Sequence, residues 1–381
     1  MYYNHMFFKD SSYKFIGDRI NSHGLGMSFL NEKYNDIGEW KMELCNYINE
    51  RLHYSPSVVP LNEEIVEEVD FGGYIRRKIY FDSALGCRIP AYLLVPKNLK
   101  DPAPAIVALH DHGAMFYWGK EKSVEHTNWN QALKNHIDSY YAGVPLASGL
   151  AKRGYVVLVI DSLFFGERRF KLEDYNGYFK ERLERFEHES EEYIREYNII
   201  EQEIESELVK AVFYAGYTFM GIRTWDDMAS VSYLCSRPEV DPGRIGCIGL
   251  SMGGHRSGWL SAMDDRIKCA VVIGWMARYK EMVEQRLTNI AWMWAVPGLY
   301  ENLDYPDVIS LSVPKPLLIV HGSKDALFPD ESGQKAIEVI RKVYNKADCG
   351  QNFTAEIYDA HHEFNAKMQK NAYSWLNKYL M

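Results

Sequence analysis

From residue 74 the chain alternates apolar and polar positions, YIRRKIYFD and RIPAYLLVP flanking a SALG turn, and this predicts an antiparallel hairpin. Beyond it the pattern changes to short, almost uninterrupted apolar runs: PAIVALH, YVVLVID, RIGCIGL, KCAVVIG, KPLLIVHG and FTAEIYD. Between them lie segments with helical spacing, among them VPLASGLAKRG, GIRTWDDMASVSYLCSRP, SMGGHRSGWLSAMD, ESGQKAIEVIRKVY and a C-terminal helix. Strands apolar on both faces and separated by helices predict an α/β fold, a mostly parallel sheet with helices on both sides.

Three stretches depart from this alternation. Residues 1–65 read as a helical N-terminal extension, with NDIGEWKMELCNYINERLHY helical and SPSVVP closing it. The remainder, 66–381, is expected to form one catalytic domain with a helical insertion at about 171–215 and a cap-like segment at about 276–312. The insertion carries KERLERFEHESEEYIREYNIIEQEIESELVK and reads first as a solvated helix supported by salt bridges between turns. Its alternative is a lid or a subunit contact of a homo-oligomer, with Tyr193, Ile194, Tyr197 and Ile200 as an apolar stripe. The segment 276–312 is rich in Met and Trp and lies where the strands' C-terminal ends open, the usual ligand side of such sheets.

Composition narrows the classes. With 47% hydrophobic residues the chain holds enough apolar surface for a large core, which excludes wholesale disorder. A formal charge of −9 argues against a nucleic-acid partner. The N-terminal residues lack a basic, apolar and small-residue succession, so no signal peptide is expected. No apolar run reaches the roughly 18 residues of a spanning helix, and no membrane partner is expected. Six scattered cysteines without CxxC pairs favour a reducing cytoplasm.

The strongest chemical signal is Gly249-Leu250-Ser251-Met252-Gly253, which fits G-x-S-x-G between an apolar run and a helix-compatible segment. The pattern describes a strand that turns abruptly into a helix with the serine exposed at its tip. A serine hydroxyl needs a base to take its proton and a carboxylate to orient that base. In this arrangement the order along the chain is Ser, acid, His. Asp325, just after KPLLIVHG, is the expected acid, with Asp330 as the alternative and Asp359 too close to the histidine in sequence. His362 after FTAEIYD is the expected base, with its neighbour His361 as the alternative. Oxyanion donors are expected from the backbone N–H of Met252 and of His112, the latter in the loop His110-Asp111-His112-Gly113, with Gly113 second. Arg168 is placed near the pocket rim as a possible partner for a substrate carboxylate, and Trp275 as a stacking wall; the competing readings are an ion pair and ordinary core.

Together, Ser251, Asp325 and His362 and the phrases VALHDHGAMFYWGKEK, VVLVIDSLFFGERR, SRPEVDPGRIGCIGLSMGG and LLIVHGSKDALFP resemble the dienelactone-hydrolase-like and acetyl-xylan-esterase-like α/β-hydrolases. The resemblance covers about residues 65–381 and implies an α/β-hydrolase fold and serine-dependent hydrolysis of carboxylic esters. A small-molecule or carbohydrate ester is the implied substrate, with no metal and no organic cofactor. Dienelactone hydrolases proper carry Cys where this chain has Ser251, and the deacetylase branch carries Gln where it has Met252.

Three competing readings make distinct demands. A prolyl-oligopeptidase-type peptidase would usually need a propeller that 65 helical residues do not build. A metal-dependent hydrolase would use His110 and His112, with His361, His362 and nearby aspartates. A binding module would leave the Ser-Asp-His set without a role.

Overall fold

The structure, a computed structural model, describes residues 12–22, 24–172 and 177–381. Of the N-terminal residues on which the signal-peptide expectation rests, 1–11 lie outside that range.

Among the described residues nine strands, β1 (Glu64–Asp70), β2 (Tyr74–Ala84), β3 (Cys87–Pro96), β4 (Ala103–Leu109), β5 (Val156–Ile160), β6 (Val240–Leu250), β7 (Ile267–Ile273), β8 (Leu317–Gly322) and β9 (Phe353–Tyr358), form one sheet in the order β1-β2-β3-β5-β4-β6-β7-β8-β9. The predicted hairpin is β2 and β3, and β3 also runs antiparallel to β5. From β5 onward every pairing is parallel, through β4, β6, β7, β8 and β9. The expected class, a mostly parallel sheet of the α/β-hydrolase type, is the one found.

Period-two alternation divides the strands between two cores. Ala105, Val107 and Leu109 of β4 and Val156, Leu158 and Ile160 of β5 face one layer, while Ile106, Ala108, Val157 and Val159 face the other. Helices Phe219–Cys235, Met252–Met263 and Asp330–Lys346 bury their apolar sides in the first layer, and helices Gln131–Tyr141, Leu146–Ala151 and Ala366–Leu380 cover the second. The parallel strands therefore end together on one side of the molecule, where β4, β6, β8 and β9 deliver their loops.

Three expectations are corrected. The boundary at 65/66 falls inside β1 (Glu64–Asp70), an edge strand whose EIVEEVD shows only mixed polarity because nearly all of it is exposed. The N-terminal helix Ile37–Leu52 is not an appendage: Trp40, Leu44, Ile48 and Leu52 line up at i, i+4 and join the first core. Asp36 caps it by accepting from the Glu39 N–H at 2.8 Å. The insertion helix Glu191–Tyr214 is not simply solvated, because Tyr193, Ile194, Tyr197 and Ile200 pack with Tyr117, Leu172 and Leu183 in a third cluster. Its acidic outer face still carries ion pairs, Arg182 meeting Glu196 at 2.6 Å and Glu203 at 2.7 Å. Among the described residues no helix is long and apolar enough to cross a membrane.

Candidate active site

Strand β6 ends at Leu250 and helix Met252–Met263 begins two residues later, which leaves Ser251 alone to make the turn. It does so with φ 61° and ψ −120°, a backbone conformation that a residue with a Cβ seldom adopts. The Ser251 N–H donates to the Ile273 carbonyl at 2.8 Å, and Ser251 O accepts from the His255 N–H at 2.9 Å. The flanking glycines are steric necessities. A Cβ on Gly249 would lie 2.5 Å from Leu109 O, one on Gly253 only 1.9 Å from Leu109 O, and one on Gly254 2.4 Å from Ile273 O. All three obstacles are backbone, so no side chain can move aside. Gly253→Ala is therefore expected to cost about 3 kcal/mol of stability. Urea unfolding, with Gly73→Ala as the control where an added methyl meets open space, measures it.

The loops after β8 and β9 meet beside this turn. Ser323 N–H donates to Tyr358 O at 2.8 Å and Lys324 N–H to Ala360 O at 3.0 Å. Gly322 permits the approach, since a Cβ there would lie 2.6 Å from the carbonyls of Ala360 and His361. The result is one short contact: His362 Nδ1 lies 2.6 Å from Asp325 Oδ2. Asp325 Oδ1 accepts from the Leu327 N–H at 2.9 Å, so both carboxylate oxygens are committed. The His362 ring lies over Gly274, whose added Cβ would be 3.3 Å from its Cε1. Gly274 directly follows Ile273, the acceptor of the Ser251 N–H, so imidazole and serine are neighbours across the end of β7. The alternatives fall elsewhere. His361 is exposed with Nδ1 at 3.2 Å from Lys324 O, Asp359 pairs with Lys324 at 2.7 Å, and Asp330 opens a helix and lies 3.4 Å from His321.

The loop after β4 forms the opposite wall. Met252, at the first position of its helix, has an N–H with no intrahelical acceptor. Among the described residues the N–H groups of His112 and Gly113 also find no acceptor. Gly113 has φ +57°, and a Cβ there would lie 2.5 Å from both Asp111 Oδ2 and His136 Cε1. The Asp111 carboxylate is buried and takes the Tyr141 hydroxyl at 2.5 Å and lies 3.1 Å from His136 Nε2. Burial holds His110 well below the ordinary imidazole range. The neutral ring therefore donates from Nδ1 to Asp111 O at 2.8 Å and accepts the Ser162 N–H on Nε2 at 3.2 Å. With both nitrogens engaged, His110 is not free to ligate a metal with His112.

Two substrate-binding expectations are corrected. Arg168 does not reach toward a ligand: its guanidinium meets Asp226 Oδ2 at 2.8 Å and Asp161 O at 3.2 Å beneath the surface. Trp275 is only 2% exposed and packs against His255 at 4.3 Å, Tyr305 at 5.1 Å and Trp294 at 5.8 Å between ring centroids, so it is a core wall and not an open platform. Sequence reasoning missed Lys120 and Lys122, both wholly buried. Glu121, Asp161 and Glu167 converge as a metal site would, but the Lys120 ammonium holds them at 2.7, 2.8 and 2.6 Å.

The sheet order and the turn at Ser251 define the α/β-hydrolase class. A model of the dienelactone hydrolase family matches residues 144–378, and the chain belongs to that family. "Putative hydrolase YtaP" of Bacillus subtilis (strain 168) is 29% identical over 266 residues, 69% of this chain and 75% of that one. Among solved structures, a "putative acetyl xylan esterase" from Bacteroides fragilis NCTC 9343 superposes with TM-score 0.71 at 17% identity, covering 92% of this chain and 83% of its own. A glucuronoyl esterase from Solibacter usitatus gives TM-score 0.58 at 13% identity, covering 89% and 92%. At such identities these two share the fold.

Proposed function

We propose that the protein is a serine carboxylic-ester hydrolase that works through an acyl-enzyme. The observation that carries the reading is the 2.6 Å contact of His362 Nδ1 with Asp325 Oδ2, its ring beside the strained Ser251 turn. In the proposed reaction His362 Nε2 takes the Ser251 proton as Oγ bonds to the ester carbon. The carbonyl π pair moves onto oxygen, and the N–H groups of Met252 and of His112 or Gly113 receive that charge. Collapse breaks the bond to the alcohol, which leaves with the proton from His362. Water then repeats both steps on the acyl-serine, releasing the acid. Asp325 holds the imidazole and stabilises its cation throughout. No metal or organic cofactor enters these steps.

The proposed substrate is a small or carbohydrate ester; the names of the Bacteroides fragilis and Solibacter usitatus neighbours support a sugar-linked one. The six cysteines are all free thiols, which supports a reducing, cytoplasmic setting.

Intact-mass and peptide analysis after treatment with a fluorophosphonate tests the reading. One adduct on Ser251 is expected, absent after heat unfolding and formed far more slowly in His362→Ala. An active preparation that takes no adduct, or takes it on another residue, refutes the assignment.

A further inference from the structure

Among the described residues Lys122 has no charged partner within 3.5 Å, although its side chain is wholly buried. Its ammonium points instead at the loop after β4. Nζ donates to Asp111 O at 2.5 Å, His112 O at 3.1 Å and Met115 O at 3.3 Å. An ammonium has three N–H donors, and here three carbonyls take them. The Asp111 carboxylate at 3.7 Å balances the charge, and the Phe165 ring lies 4.9 Å beneath the nitrogen. Burying a lysine is costly unless its ammonium is paired and hydrogen-bonded, and these carbonyls and the carboxylate supply that here.

Two of those carbonyls belong to peptides whose other ends matter. Asp111 O shares a peptide plane with the His112 N–H, and His112 O shares one with the Gly113 N–H. Both bonds are trans, so each N–H points away from its carbonyl oxygen. Fixing the oxygens on one side aims the two N–H groups toward the other, where neither has an acceptor among the described residues. A cation on the oxygen also polarises the amide and makes its N–H a stronger donor.

We propose that Lys122 is the positioning residue of the oxyanion site, its ammonium holding the Asp111–His112 and His112–Gly113 peptides so that their N–H groups face the acyl oxygen. Neighbouring groups keep it there. Lys120, two residues earlier in the same single-turn helix Lys120–Ser123, is pinned by Asp161, Glu121 and Glu167. The neutral His110 ring adds a second donor to Asp111 O. Tyr141 and His136 hold the Asp111 side chain from behind.

The inference rests on the serine-esterase reading, and its test separates the two. Lys122→Met, similar in length and apolar, is compared with the unaltered enzyme on matched oxoester and thionoester substrates. The thiocarbonyl sulfur accepts hydrogen bonds poorly, so a well-aimed oxyanion site favours the oxoester. In Lys122→Met, kcat on the oxoester is expected to fall about 10²-fold with KM within threefold. The oxoester preference is expected to shrink by about tenfold or more, part of the roughly 10²–10³ that one oxyanion donor is worth. A general loosening would lower both substrates alike, so an unchanged preference overturns the inference even when activity falls. If Lys122→Met does not fold, a structure of the unaltered enzyme as its Ser251 phosphonate adduct decides. The phosphonyl oxygen must lie within about 3.2 Å of His112 N or Gly113 N, and an oxygen placed elsewhere overturns it. Failure of Ser251 to take the phosphonate refutes the esterase reading itself. Normal labelling with an unmoved preference refutes only the role of Lys122.

Discussion

Ser251→Ala is expected to lower kcat on p-nitrophenyl acetate by about 10⁶-fold, the scale set by loss of the nucleophile from a cooperating serine set. The variant keeps the Asp325–His362 contact and the donors opposite, so a residual rate about 10³-fold above water is expected from charge stabilisation and binding alone. Stability should barely move. Alanine and serine both place a Cβ at φ 61°, so the strain of the turn is the same in each. No hydrogen bond among the described residues depends on the Ser251 hydroxyl. The change in unfolding free energy is therefore expected within about 0.5 kcal/mol. Stopped assays on highly purified protein, with urea unfolding in parallel, measure both quantities. Activity within a hundredfold of the unaltered enzyme, in a folded variant, would exclude Ser251 as the attacking group.

How much of this could be read before any coordinates follows from where information sits in a chain. The parallel strands declare themselves because burial on both faces demands apolar runs such as AIVAL and VVLVI. The Ser251 turn is equally plain, since only glycine fits positions 249, 253 and 254. Strand β1 is hidden because an exposed edge strand places no apolar demand on either face. The helix Glu191–Tyr214 misleads for a related reason: glutamates dominate its composition, but a stripe four residues wide decides its packing. Arg168 is misjudged because its partner Asp226 lies far along the chain, on the helix leading to β6. Lys120 and Lys122 carry no signal at all. Nothing in the composition of GKEK marks either lysine as buried, and only the fold supplies the carboxylates and carbonyls that make their burial tolerable. Local steric demands are legible; long-range electrostatic pairings are not.

That distinction governs the second large effect. Asp325→Asn is expected to lower kcat by about 10⁴-fold, although an amide is nearly the same size and shape as the carboxylate. The reason lies in the second oxygen. Oδ1 accepts the Leu327 N–H at 2.9 Å, while Oδ2 faces His362 Nδ1 at 2.6 Å. An asparagine must keep its oxygen toward Leu327 to avoid opposing two donors, and its NH₂ group then points at the imidazole. Nδ1 is forced to accept, so the neutral ring carries its proton on Nε2 and cannot take one from Ser251. Flipping the amide would restore the ring but leave the Leu327 N–H facing an NH₂ in a part-buried turn, at a cost of about 1–3 kcal/mol. Asp330→Asn, at the helix start near His321, makes no such demand and is expected to stay within a few-fold of the unaltered enzyme. Nitrogen-15 NMR of the histidines reads the mechanism directly: His362 should carry its proton on Nδ1 in the parent and on Nε2 in Asp325→Asn. A large rate loss without that change of tautomer would show that Asp325 acts by charge alone. A loss of less than tenfold would remove it from the site.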